Sequence, residues 1–392
     1  MDILEKCFAF NGVEEAQASG NYFFFRELGS PQGPEVMVNG KRMIMIGSNN
    51  YLGLTTHPRI KEAAINAIEQ YGSGCTGSRL LNGNLVIHEE LEEKLAAFAR
   101  KEAAVVFATG YLANLGGIAS LVGRHDLMII DQYDHASIID GCRLSFGRVV
   151  KFRHNDMNDL ERILKKEAGQ AKLIIVDGVF SMEGDIIKLP EMVELARKYG
   201  ARIFLDDAHS IGVLGQEGRG TEEHYGMEDG ADLVMGTFSK SLAANGGFVA
   251  GPKKVVSWIK HLGRTQIFSA SLPPVMVAVV SAALDVIREE PQLRQRLWEN
   301  TRKMKDGYCE LGLDTGVSET PIIPVLVKDT AKVYGMCRAL ADRGVFVNPV
   351  VSPAVPPGRE LLRTSYMSTH KEEHLDTVLE EFGEVARSVG LI

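Results

Sequence analysis

Between about residue 100 and residue 250 the chain alternates short β-branched apolar runs with amphipathic stretches, which is how a parallel sheet covered by helices reads. The runs are Ala104–Ala108, Leu127–Ile130, Val149–Phe152, Leu173–Val176, Arg202–Leu205 and Leu233–Met235. Between them, Asp159–Lys166 and Leu189–Lys198 place apolar residues at i, i+3 and i+4, and the second carries a proline in its first turn. The pattern predicts an α/β fold with a mostly parallel sheet and helices on both faces.

Such a sheet collects ligands beyond the carboxyl ends of its strands, so the polar residues that close each apolar run are the ones to examine. These are Thr109-Gly110-Tyr111, Asp134-His135, Asp177 to Ser181, Asp206 to His209 and Thr237 to Lys240. Lys240 follows a buried run among small hydroxyl residues, where an ammonium is unfavourable and an imine with an aldehyde would relieve its charge. Asp206 sits where a buried strand opens, placed to hold a pyridinium proton and so make the ring an electron sink. His135 could stack on such a ring. Gly110 and Tyr111 open a helix whose backbone N–H groups could take a phosphate. The Asp/His cluster lacks further ligands at metal-binding spacing, so no metal is expected.

Gly72-Ser-Gly74-Cys-Thr-Gly77 matches the G-x-G-x-x-G pattern of dinucleotide sites. It follows an amphipathic helix, Pro58 to Tyr71, rather than a strand, and no good helix opens after it. A nicotinamide oxidoreductase is therefore the weaker reading.

With a net charge of −8 the chain has no general attraction for nucleic acid or an anionic membrane. The longest apolar run, Val275 to Ile287, falls short of the roughly 20 residues that span a bilayer. The N-terminus has no apolar signal core, which points to the cytoplasm, with peripheral inner-membrane association as a further option. The five cysteines are scattered without a C-x-x-C pair, and are expected to be reduced and mostly buried.

Taken together, several ordered motifs resemble the α-oxoamine synthases, a branch of the fold-type I pyridoxal 5′-phosphate enzymes. They are Ser48 to Gly53, His88 to Glu92, Asp134 to Gly141, Phe180 to Asp185, Asp206 to Ser210, Thr237 to Ser241, Phe268 to Pro274 and Arg363. The resemblance implies a seven-stranded, mostly parallel sheet, a smaller α+β C-terminal domain and a homodimer with shared active sites. The sequence itself divides into an N-terminal arm (1–46, with a hairpin at the turn dipeptide Asn39-Gly40), a large cofactor domain (47–274) and, after Leu272-Pro273-Pro274, a small domain (275–392).

By the same resemblance, Lys240 would bond the cofactor and shuttle a proton, Asp206 would pair with the ring nitrogen, and His135 would stack on the ring. Ser181 and His209 would bond the ring oxygen. Gly110, Tyr111, Thr237 and Ser239 would hold the phosphate, with Ser269 reaching in from the other subunit. Asn50 and Arg363 would bind the amino-acid carboxylate. Asp207 departs from the glutamate more common in relatives. The stretches Val347 to Pro357 and Gly74 to Gly83 point to the branch that condenses L-serine with a long-chain acyl-CoA such as palmitoyl-CoA. The alternatives are alanine with a pimeloyl thioester and glycine with acetyl-CoA.

Overall fold

A computed structural model describes residues 2–392. The Asn39-Gly40 turn, with both residues at positive φ, joins β1 (Glu35–Val38) to β2 (Lys41–Met45) as an antiparallel hairpin. The next six strands are those marked by the apolar runs: β3 (Ala103–Phe107), β4 (Leu127–Asp131), β5 (Arg148–Phe152), β6 (Lys172–Asp177), β7 (Ala201–Asp206) and β8 (Leu233–Thr237). The sequence pattern does not mark β9 (Gly247–Gly251). Farther on lie β10 (Ile322–Leu326), β11 (Val345–Phe346), β12 (Asn348–Val350) and β13 (Leu361–Ser365).

Seven strands form the central sheet in the order β3-β9-β8-β7-β6-β4-β5. Only β9 runs antiparallel to its neighbours. Side-chain alternation along each strand feeds two separate cores. Leu127, Ile129, Ile174 and Val176 pack with helices Met157–Lys166 and Leu189–Tyr199. On the opposite face Met128, Ile130 and Ile175 pack with helices Gly110–Leu121, Ala136–Leu144 and Lys253–Leu262. The chain passes from β4 outward to β5 and then crosses back to β6, so a topological switch lies between β4 and β6 and opens a crevice at their carboxyl ends.

Two three-stranded sheets complete the fold, β10-β13-β12 and β1-β2-β11. The N-terminal hairpin is therefore tied to a strand more than 300 positions away. The long helix Pro274–Glu289 shares an apolar core with helices Pro58–Tyr71 and Val86–Phe98, while β10, β13 and helices Thr330–Asp342 and Glu372–Ser388 share another. The expectation of mostly buried thiols is corrected: only Cys142 and Cys337 are buried. Cys7 lies on a short helix that buries nothing, and Cys309 on the outward side of helix Pro291–Glu310. No helix among the described residues is long and apolar enough to cross a membrane.

Candidate active site

The strand-end residues converge on one cavity of about 280 Å³, lined among others by Gly110, His135, Ser181, Asp206, His209, Thr237 and Lys240. Tyr111 and Ser239 also reach it. Thr109 caps the helix Gly110–Leu121 through its hydroxyl, which accepts from Leu112 N at 3.1 Å. The helix can close on the β8 end because residue 110 is glycine: a Cβ there would stand 2.5 Å from Thr237 Oγ1. Thr237 Oγ1 and Ser239 Oγ lie 3.0 Å apart, so two hydroxyls face the positive end of a helix. That cradle suits a phosphate.

Asp206 ends β7 and is buried. Asn114 Nδ2 donates to its Oδ2 at 2.6 Å, and Ala208 N donates to Oδ1 at 2.9 Å, which fixes the carboxylate plane. Asn114 Nδ2 also donates to Ser137 Oγ at 2.8 Å. Sequence reasoning missed Asn114, a fully buried amide in a helix of otherwise small and apolar residues.

Lys240 is half-buried. Burial draws its pKa down to about 8, against the pull of the Asp206 and Asp177 carboxylates and with help from Arg363. Roughly a tenth of the amine is thus unprotonated at pH 7, far more than for a free lysine, and that is the form that attacks a carbonyl.

Asp134 laces the strand ends together: its Oδ2 accepts from Asp131 N at 2.7 Å and its Oδ1 from Asp177 N at 2.9 Å. Asp177 Oδ2 in turn accepts from His135 N at 2.8 Å, which sets the imidazole at the head of helix Ala136–Leu144. Ser137 N donates to His135 Nδ1 at 3.3 Å, and the ring is exposed to the cavity. Burial lowers the His135 pKa, as does Lys240, while Asp206 raises it.

Arg363, on β13, donates from Nε to Ser181 O at 2.7 Å and from Nη2 to Asn49 Oδ1 at 3.0 Å. The asparagine bonded to Arg363 is thus Asn49, next to the expected Asn50. Asn50 Nδ2 donates to Gln32 O at 2.9 Å and Thr55 Oγ1 at 2.8 Å, away from Arg363. The chain turns at Asn50, where Tyr51 N donates to Asn49 O at 2.9 Å, so the two neighbouring asparagines serve different partners. Ser269 is not among the residues lining the cavity; it lies just after the helix Arg264–Ile267. The Gly72 to Gly77 loop follows helix Pro58–Tyr71 and opens no helix, so it is not a dinucleotide cradle.

A deprotonatable amine, a buried carboxylate, an imidazole and an anion cradle at one strand-end crevice fit pyridoxal 5′-phosphate. With this sheet they define a fold-type I pyridoxal phosphate transferase.

The model of the family "Aminotransferase class I and II" matches residues 41–382. A serine palmitoyltransferase of Sphingobacterium spiritivorum is 50% identical over 382 residues, covering 97% of this chain and 96% of the relative. An 8-amino-7-oxononanoate synthase of Thermoanaerobacter pseudethanolicus is 46% identical over 382 residues, 97% of each chain. Among solved structures, a serine palmitoyltransferase variant from S. paucimobilis with a bound PLP–myriocin aldimine superposes with a TM-score of 0.96 at 38% identity, covering 100% of both chains. The chain belongs to the aminotransferase class I and II family, in its α-oxoamine synthase branch.

Proposed function

We propose that this protein condenses L-serine with a long-chain acyl-CoA, palmitoyl-CoA in the simplest case, releasing coenzyme A and carbon dioxide and forming 3-ketodihydrosphingosine. The observation that carries this reading is the near-complete alignment at 50% identity with a serine palmitoyltransferase on a chain whose Lys240 and Asp206 line one cavity, with Arg363 bonded to Ser181 at its edge. When bound, pyridoxal 5′-phosphate supplies an aldehyde that captures an amine and a ring that accepts the electron pair left at Cα.

The residues divide the remaining work. Lys240 would hold the cofactor through its amine and, once freed, would take the Cα proton, a role its pKa of about 8 suits. Asp206, held by Asn114 and Ala208 N, keeps a proton on the ring nitrogen. His135 would lie against the ring, and Ser181 and His209 would bond the ring oxygen; all three line the cavity. Gly110, Tyr111, Thr237 and Ser239 hold the phosphate, and Ser269 completes the site of a second copy in a homodimer. Arg363, with Asn49 rather than Asn50 beside it, binds the serine carboxylate through a planar fork suited to it. We place the enzyme in the cytoplasm, with peripheral membrane contact where its lipid product leaves.

The test uses purified protein loaded with pyridoxal 5′-phosphate, carboxyl-labelled L-serine and palmitoyl-CoA. Release of labelled carbon dioxide with a long-chain ketone product is expected. Turnover of alanine with pimeloyl-CoA, or of glycine with acetyl-CoA, in place of serine would overturn the substrate assignment and keep the cofactor residues.

A further inference from the structure

His209 is buried, and its Nδ1 lies 2.8 Å from the Tyr51 hydroxyl. Its Nε2 has no hydrogen-bond partner among the described residues, and the ring borders the cavity. The charged and titratable groups facing it are Lys240, Arg363, His135 and Tyr51. Burial, followed by the charges of Lys240, Arg363 and His135, holds the His209 pKa well below the usual imidazole value. The ring is therefore neutral at pH 7 and carries a single N–H. Which nitrogen carries it decides what the ring can do. With the proton on Nε2, His209 donates to a negatively charged oxygen in the cavity; with the proton on Nδ1, it presents only a lone pair there.

Tyr51 has one hydroxyl proton and two acceptors in range, His209 Nδ1 at 2.8 Å and Asn49 Oδ1 at 3.3 Å. The nearer acceptor is the imidazole, and Asn49 Oδ1 already takes an N–H from Arg363 at 3.0 Å. Burial pushes the Tyr51 phenol up to about 12, so it remains a donor across the working range. Its backbone is pinned: Ser368 N donates to Tyr51 O at 2.7 Å, Ser368 Oγ to Leu52 O at 2.8 Å, and Ser365 N to Ile46 O at 2.8 Å. The turn that follows the strand of Arg363 therefore also holds Tyr51 in place.

We infer that Tyr51 is a positioning residue that donates to His209 Nδ1, fixes the ring proton on Nε2, and so makes His209 a hydrogen-bond donor to the ring oxygen of the cofactor. This rests on the cofactor assignment proposed above. A donor at that oxygen withdraws charge from it and weakens its hold on the neighbouring imine proton, which keeps the imine pKa low. Loss of the donor should raise it.

The experiment follows visible absorbance against pH in the cofactor-loaded protein, its Tyr51→Phe variant, His209→Asn and the double variant. Phenylalanine keeps the buried ring and removes only the hydroxyl. Tyr51→Phe is expected to raise the absorbance midpoint by about one pH unit, the scale of one net hydrogen bond, with the thermal midpoint within a few degrees of the parent. In the His209→Asn background, where no imidazole tautomer exists, Tyr51→Phe should leave the midpoint unmoved. Equal shifts in both backgrounds, or no shift in either, would overturn the role of Tyr51 while leaving the cofactor assignment standing. An unmodified protein that takes up no cofactor would overturn both.

Discussion

Two histidines near the carboxyl ends of the same sheet, one buried and one half-buried, differ in charge: one is neutral and the other protonated. His209 is neutral, because burial acts on it together with the cations Lys240 and Arg363. His154 lies 3.0 Å from Asp131 Oδ1 and 3.2 Å from Asp185 Oδ2. Burial lowers its pKa too, but the two carboxylates more than offset that and raise it to about 9. Burial alone thus does not decide the state of an imidazole; the sign of the nearest charges does. His154 also packs edge-on to Phe180, next to Ser181, and stacks at a tilt on Tyr133. One histidine locks the loops that frame the cavity, and the other stays uncharged to act inside it.

That contrast can be broken from either side. The largest effect is expected from His154→Phe, which removes the cation between two buried carboxylates and leaves them only neutral donors from Tyr133 and Asn155. Unfolding in denaturant should show a loss of about 3–5 kcal/mol, the usual scale for removing one partner of a buried ion pair. A loss below about 1 kcal/mol would mean that His154 is not a lock.

The pH dependence sharpens the same point. The folded pKa of His154 is raised above its unfolded value of about 6.5, so its contribution to stability is fully present below that pH. It is lost as pH rises through about 9, and amounts to roughly 3 kcal/mol at most. The stability gap between the parent and His154→Phe should narrow over that window. A gap that widened would contradict the charged state.

His209→Asn should do the reverse of His154→Phe. It is expected to lower kcat/KM for serine by about 10²-fold while changing stability by less than about 1 kcal/mol. The smallest effect belongs to Asn114→Ala, which removes a donor from Asp206 and from Ser137. Stability should fall by about 1–2 kcal/mol and kcat/KM by about tenfold, measured on the same preparations.

Much of this site was legible because chemistry-bearing residues fall directly after apolar runs: Asp206 closes β7, and Lys240 stands three positions past β8. β9 was not legible for a physical reason. It begins and ends in glycine, which weakens a strand signal. Those glycines are there because the backbones approach closely: a Cβ on Gly247 would stand 2.6 Å from Gly110 Cα, and one on Gly251 2.5 Å from Leu233 Cδ2. The same crowding that shapes the phosphate cradle erased the pattern. Asn49 and Asn50 are identical neighbours, and composition cannot say which faces Arg363; the pairing of Ser365 with Ile46 and Ser48 sets that. Asn114 was hidden because its partner Asp206 is 92 positions away.

The central claim is that the amine of Lys240, in its unprotonated form beside Asp206, bonds the cofactor aldehyde. Borohydride reduction of the loaded protein, followed by peptide digestion and mass spectrometry, reads this directly. The account predicts a phosphopyridoxyl group on the peptide bearing Lys240, absent in Lys240→Ala. The same group on another lysine, or none on a protein that still turns over serine, would contradict it.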